Sequence, residues 1–271
     1  MRKVIVVVAG GMMLAAAMPL AADEETVGGY TWTYRIRGEG AEIYNDEDTA
    51  VSPLPNGAVT IPDTLGGKPV TSIGAYAFYY CRGMTDVTIP NSVTNIGEGA
   101  FYYCYALTDV TIPDGVTSIG DYAFYDCSAL EDMTIPDGVT SIGVEAFYYC
   151  YSLTNVTIGS GVTSIGDYAF EHCSALTDVT IPDGVTSIGE EAFCECSSLT
   201  NVTIGSGVTY IGDYAFWYCS ALTSVTIPES VTSIGEGAFY SCEGLADADG
   251  FVIIRNILCG YFGDEASVTI P

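Results

Sequence analysis

The chain has 271 residues, a formal net charge of -27 and a pI near 4.1, with 49% hydrophobic residues. That apolar content excludes a disordered acidic chain and supplies a sizeable core. Seven basic against 34 acidic residues repel nucleic acid and anionic lipid headgroups, so neither is expected as a direct partner.

Residues 1–22 read as a signal peptide. Arg2 and Lys3 give the positive start, Val4 to Leu14 is a short apolar run, and Ala21-Ala22 precede Asp23-Glu24-Glu25. The run is too short for an ordinary membrane span, and no second one follows. The mature chain is therefore expected to be secreted or held at the cell surface, without membrane insertion. Cleavage near Ala22 leaves five basic against 34 acidic residues, a balance of -29, with no Lys or Arg between Arg82 and Arg255.

Residues 23–57 predict an N-terminal cap. Tyr30 to Ile36 alternates, Gly38-Glu39-Gly40 turns and Ala41 to Tyr44 follows, which suggests two strands laid over the first coil of a repeat array. Thr64-Leu65-Gly66-Gly67-Lys68 is an insertion expected to bulge from that coil.

From residue 58 to 245 one period dominates. Cys81, Cys104, Cys127, Cys150, Cys173, Cys196, Cys219 and Cys242 stand 23 apart, as do the phenylalanines from Phe78 to Phe239 and the isoleucines from Ile73 to Ile234. In the unit Leu107 to Ser128, Val110-Thr111-Ile112 alternates as a half-buried strand does. Pro113-Asp114-Gly115 is turn chemistry, and Val116 to Ile119 suggests a second extended piece. Ala123, Phe124 and Cys127 fit one face of a short helical turn. Eight positions should point inward: Leu107, Val110, Ile112, Val116, Ile119, Ala123, Phe124 and Cys127. One unit cannot bury that face alone, so the expected fold is a β-rich repeat solenoid of about eight coils, roughly 40 Å tall at strand spacing. Gly120 to Phe124 recurs at Gly166 to Phe170 and Gly212 to Phe216, and Ile158 to Gly161 at Ile204 to Gly207, which points to a two-coil unit of 46 residues.

The block L-T-x-V-T-I-P-x-x-V-T-x-I-G-x-x-A-F-x-x-C resembles the BspA-like class of leucine-rich repeats of bacterial surface and secreted proteins, over roughly Ala58 to Pro271. Gly115 stands where commoner leucine-rich repeats carry Asn, so no asparagine ladder is expected. The resemblance implies a leucine-rich-repeat arc and a role in binding or adhesion, not a chemistry.

Residues 246–271 break the pattern. Phe251 to Ile254 and Ile257 to Tyr261 flank Arg255-Asn256 as a hairpin would, and Val268-Thr269-Ile270-Pro271 restarts the repeat, which predicts further coils in a longer gene product.

No catalytic set, cofactor or metal site is expected. The lone His172 occupies a slot held elsewhere by Tyr103, Asp126 and Tyr149, so it reads as a surface variant. No phosphate-cradling Gly motif or Cys-x-x-Cys pair is present, and Cys194 and Cys196 are too close in sequence for a zinc pair. The ladder cysteines should be buried free thiols, and Cys194, in a slot held by Tyr or Trp, an exposed one. Two surface columns are candidates for ligand binding. One is an acidic, concave strand face with Asp86, Asp109, Asp132 and Asp178; the other is a partly exposed aromatic strip with Tyr102, Tyr125, Tyr148 and Trp217. The expected function is protein or glycan recognition, or adhesion, without catalysis. The alternative is a structural spacer presenting another domain of a longer protein.

Overall fold

The computed structural model describes residues 22–44, 49–254 and 257–261. The expected signal peptide (apart from Ala22), the hairpin turn Arg255-Asn256 and the restart of the repeat at Val268 lie outside the described residues.

The repeat folds as an in-register stack in which each coil has three hydrogen-bonded sides. On the first, strands such as Asp132–Ile135, Asn155–Ile158, Asp178–Ile181 and Asn201–Ile204 pair in parallel, residue on its 23-residue equivalent, as in Asp178↔Asn201 and Ile181↔Ile204. Val and Ile point in and Asp, Asn and Thr point out, the period-two pattern of a strand with one buried face. This ladder is interrupted before Asp132, where Glu131 stands in the slot otherwise held by threonine. On the second side two-residue strands such as Ser118–Ile119 and Ser141–Ile142 continue a parallel ladder to Ser233–Ile234. Threonine hydroxyls stitch this ladder: Thr117 Oγ1 donates to the Thr94 carbonyl at 3.1 Å, and Thr140 Oγ1 to that of Thr117 at 3.2 Å.

The third side corrects one expectation. The segment around Ala123, Phe124 and Cys127 is not a helical turn but two consecutive tight turns. Tyr122 and Asp126 adopt left-handed backbone, φ 59° and 52°. Tyr125 and Cys127 N–H bond back three residues, to Tyr122 and Phe124, whereas Tyr122, Phe124 and Asp126 N–H donate to Val144, Ala146 and Tyr148 in the next coil at 2.7–2.8 Å. A left-handed non-glycine residue costs about 1–2 kcal/mol. Here it turns alternate N–H groups outward to the neighbouring coil, which a helix, bonding only within itself, cannot do. Among the described residues the only helical element is the 3-10 turn Glu243–Leu245, and no helix is long and apolar enough to cross a membrane.

All eight inward positions are buried as expected, none more than 5% exposed. The phenylalanines from Phe78 to Phe239 form one stack, with centroids 5.1–5.3 Å apart and planes within 13° of parallel. The ladder cysteines are free and buried, and from Cys104 onward each thiol donates to the carbonyl of a phenylalanine one coil back. Cys127 Sγ reaches the Phe101 carbonyl at 3.3 Å and Cys150 Sγ that of Phe124 at 3.4 Å. Close approach of the coils requires glycine at one column: a Cβ on Gly143 would stand 2.5 Å from Asp121 N. The 46-residue unit has a physical basis. Ser160 N and Oγ donate to Asp137 Oδ1 at 2.7 and 3.0 Å, and Ser206 does the same to Asp183, so each Pro-Asp-Gly turn in these pairs is clasped by the Gly-Ser-Gly turn that follows.

The cap is larger than a two-stranded hairpin. β1 (Asp23–Val27), β2 (Tyr30–Arg37) and β3 (Gly40–Ile43) form an antiparallel meander, and β4 (Val51–Ser52) pairs with β2. β3 then pairs in parallel with the repeat strand Lys68–Ile73, so the cap continues the second ladder instead of merely covering it. Trp32, fully buried, meets Phe78 edge-on at 6.1 Å and closes the phenylalanine stack. The insertion is a hairpin: Thr64–Leu65 folds back on Lys68 and Pro69 through Gly66 and Gly67, both at positive φ, and Leu65 is buried. At the far end Phe251–Ile254 pairs with Ile257–Tyr261 as anticipated.

Phe124→Ala removes one ring from the middle of this stack and is expected to cost about 3–5 kcal/mol. Because each coil contacts only its neighbours, urea unfolding followed by circular dichroism should show the two halves uncoupling. A single transition at the unaltered midpoint would contradict the packing described.

Candidate functional site

The strand face presents Asp86, Asp109, Asp132 and Asp178 as exposed carboxylates. Asp86 and Asp109 are direct neighbours in the ladder, two like charges at strand spacing, and border a shallow depression with Thr88, Asn91, Thr111 and Pro113. Asp132 is relieved by Asn155, whose Nδ2 donates to Asp132 Oδ1 at 2.7 Å. Asp178 stands between Asn155 and Asn201. Asp86, Asp109 and Asp132 thus follow one another in consecutive coils, with the ladder interrupted before Asp132, and Asp178 is separated from them by Asn155.

The aromatic column is more continuous. Tyr102 stacks on Tyr125 at 4.5 Å and 5°, and Tyr125 on Tyr148 at 5.0 Å and 10°. All three rings are half-buried. The following residue, left-handed, sets a second ring beside the first: Tyr103 lies 4.3 Å from Tyr102 and Tyr149 4.1 Å from Tyr148, both edge-on. Tyr105 and Tyr151 stack in turn on Tyr103 and Tyr149. Burial, then neighbouring phenols and carboxylates, pushes the hydroxyls of Tyr102 and Tyr148 up and that of Tyr125 up to about 12, so these hydroxyls are uncharged at neutral pH. Arg82, the one described Lys or Arg beyond the first coil, lies over the Tyr80 and Tyr105 rings at 4.4 and 5.4 Å. Trp217 does not join this row. It packs on Tyr214 and Tyr218, three coils beyond Tyr148, and its buried indole Nε1 has no hydrogen-bond acceptor among the described residues.

The interruption of the column holds what the sequence does not reveal. Cys194, expected exposed, is 1% exposed, because its short side chain does not extend to the surface that the half-buried Tyr rings of the same column reach. Glu171, in the same column, is 7% exposed. A carboxylate O of Glu171, one of Glu191 and Cys194 Sγ all lie within 4.8 Å of one another. His172 Nε2 is 3.5 Å from Glu171 Oε1, and His172 Nδ1 is 3.1 Å from Glu195 Oε2. Burial, then Glu191, Glu195 and Glu145, pushes the Glu171 carboxyl up to about 8. Burial, then Glu171 and Glu191, also pushes the Cys194 thiol up. The only signal in the sequence is that Glu171, His172 and Cys194 depart from the repeat in two adjacent coils.

The chain matches the model of the BspA type leucine rich repeat region, in six copies, over residues 58–177 and 163–257. A leucine-rich-repeat protein of T. pallidum is similar in structure, with TM-score 0.59 and 30% identity over 80% of this chain and 88% of that one. A leucine-rich cell surface protein of Faecalibacterium prausnitzii aligns over 83% of this chain and 81% of that one at 27% identity, with TM-score 0.45. No curated protein matches the chain.

Between pH 4.5 and about 8 folded Glu171 retains a proton that the unfolded chain has released, so its contribution to stability falls as pH rises through that window. Glu171→Gln should remove this loss: with a chelator present to keep cations off these acids, the melting temperature of the variant should gain on the parent steadily from pH 4.5 to 8. Parallel pH profiles would show that Glu171 is not buried as described.

Proposed function

Because the chain belongs to the BspA-type leucine-rich-repeat family, we propose that it is a secreted or surface-held recognition protein that binds an extracellular protein or glycan and carries out no catalysis. The observation that carries this reading is the row of half-exposed tyrosines from Tyr102 to Tyr148 with its flanking rings. Tyrosine offers large contact area with few rotatable bonds and a hydroxyl for polar partners, which is why it anchors interfaces. Sugars and protein side chains both stack on such rings, and the absence of charge at their hydroxyls removes repulsion from the otherwise acidic chain. The T. pallidum neighbour supports the fold, and the signal-like segment ahead of Asp23 supports the location. A spacer would need the coils but not this row.

The test is a panel of immobilised extracellular-matrix proteins and a glycan array. Tyr102, Tyr125 and Tyr148 replaced together by Ser should lower affinity for any bound probe at least about tenfold, since each central anchor is worth on the order of 2 kcal/mol. Unchanged affinity with an intact circular dichroism spectrum would move the contact to Asp86, Asp109, Asp132 and Asp178. Binding to none of the probes would favour the spacer.

A further inference from the structure

We propose that Glu171, His172, Glu191 and Cys194 form a binding site for one zinc ion at the end of the tyrosine row. Three donor atoms are already gathered: carboxylate oxygens of Glu171 and Glu191 and the sulfur of Cys194 lie within 4.8 Å of one another. With Zn–O and Zn–S bonds of about 2.0–2.3 Å, the donors of a tetrahedral site stand roughly 3.3–3.8 Å apart, so small side-chain rotations close the set. His172, which lies beside Glu171 but outside that mutually close set, supplies the fourth by a turn of its ring. Its Nδ1 faces Glu195 Oε2 at 3.1 Å, which holds the proton there and leaves the Nε2 lone pair toward Glu171, 3.5 Å away. A carboxylate behind a histidine is the usual outer support of a zinc ligand.

A second observation points to a cation as the ligand. Glu171 is 7% exposed, yet its carboxylate accepts no hydrogen bond from the described residues, and His172 Nε2 is its nearest basic atom. Such a carboxyl is costly to bury ionised unless a cation joins it, and otherwise it keeps its proton. The chain has no Lys or Arg between Arg82 and Arg255, so the repeat array cannot provide one. The four residues occupy three repeat columns that hold aromatic rings in other coils: Tyr125 and Trp217 for Glu171 and Cys194, Tyr149 for His172, Tyr214 for Glu191; the Glu191 column also holds Glu145, and the His172 column Asp126. Glu171, His172 and Cys194 are peculiar to these two adjacent coils, and side chains about 20 residues apart in sequence converge with Glu191 because the 23-residue stack sets one coil on the next.

The donor set selects the ion. Oxygen-only sites suit calcium and magnesium, and thiolate-rich ones copper(I) or iron–sulfur clusters, whereas mixed nitrogen, oxygen and sulfur ligands suit zinc. Cys196 is not available, since its thiol donates to the Phe170 carbonyl at 3.3 Å inside the core. As zinc binds, the Cys194 S–H proton and the proton held by Glu171 leave to solvent, so the sulfur binds as thiolate and the carboxyl as carboxylate. Glu195, 44% exposed, marks the side from which the ion enters. The bound ion would pin His172, whose ring lies 4.7 Å from Tyr149, and so fix the end of the aromatic row.

The experiment uses the full chain, stripped with chelator and titrated with zinc by calorimetry and with cobalt(II) by absorption. One ion per chain and a thiolate-to-cobalt charge-transfer band are expected. Cys194→Ser should abolish the band and weaken zinc at least about tenfold, and Glu171→Gln should weaken zinc by about 10–100-fold while conserving shape, which keeps the test valid if the cysteine variant folds poorly. Cys259→Ala should leave both readings unchanged. A band that survives Cys194→Ser, zinc affinity equal in parent and Glu171→Gln, or calcium binding as tightly as zinc would overturn the proposal. None of these outcomes depends on the recognition reading.

Discussion

The N–H groups of Tyr122, Phe124 and Asp126 have no acceptor within their own coil; they need the carbonyls of Val144, Ala146 and Tyr148 in the next. The strand residues and the threonine hydroxyls impose the same demand on the other two sides. A buried amide left unpaired costs about 1–3 kcal/mol, so the chain is held to a constant 23-residue step wherever these ladders run. Everything else follows from that step. Equivalent side chains come to lie one coil apart, so a phenylalanine in every coil becomes a stack, and a cysteine in every coil becomes a thiol above a fixed carbonyl. Glycine recurs in register because a side chain at Gly143 would meet the backbone of the coil before it.

The candidate surfaces are by-products of the same constraint. Left-handed residues at Tyr103 and Tyr149 aim one ring sideways while the preceding residue stacks along the array, so two rows of aromatics run side by side. Where Glu171, His172, Glu191, Cys194 and Glu195 replace the rings, the stack that would bury aromatic surface buries donor atoms instead. Stacking of unlike residues thus turns a packing column into a site, with no change in the backbone around it.

The architecture is legible in the sequence because the period repeats eight times in three residue types, and each inward position is occupied by a residue suited to burial. The turns look helical there because Ala123, Phe124 and Cys127 share a helical spacing. The better signal is Gly99 and Gly237, which hold the slot of Tyr122 and betray its left-handed backbone. The second cap hairpin leaves little trace because Asp23 to Val27 carries four exposed residues and only one, Val27, half-buried. Cys194 looks exposed when its slot is judged from the size of Tyr and Trp, without the depth at which those rings lie. The Glu171 cluster cannot be seen from spacing, since its members meet only once adjacent coils are superposed.

Registry between coils underlies all of these features, and deletion of whole units tests it most directly. Removing residues 121–166 joins Gly120 to Asp167 and restores Gly-Asp-Tyr-Ala-Phe at the junction, so every remaining coil keeps an equivalent neighbour. Removing residues 121–154 instead sets a strand against a turn. Thermal unfolding followed by circular dichroism should show the first variant folding cooperatively with the parent spectrum per residue, and the second losing that transition over the coils it misaligns. Equal stability of the two deletions, or collapse of the 46-residue one, would contradict the claim that the 23-residue step holds the molecule together.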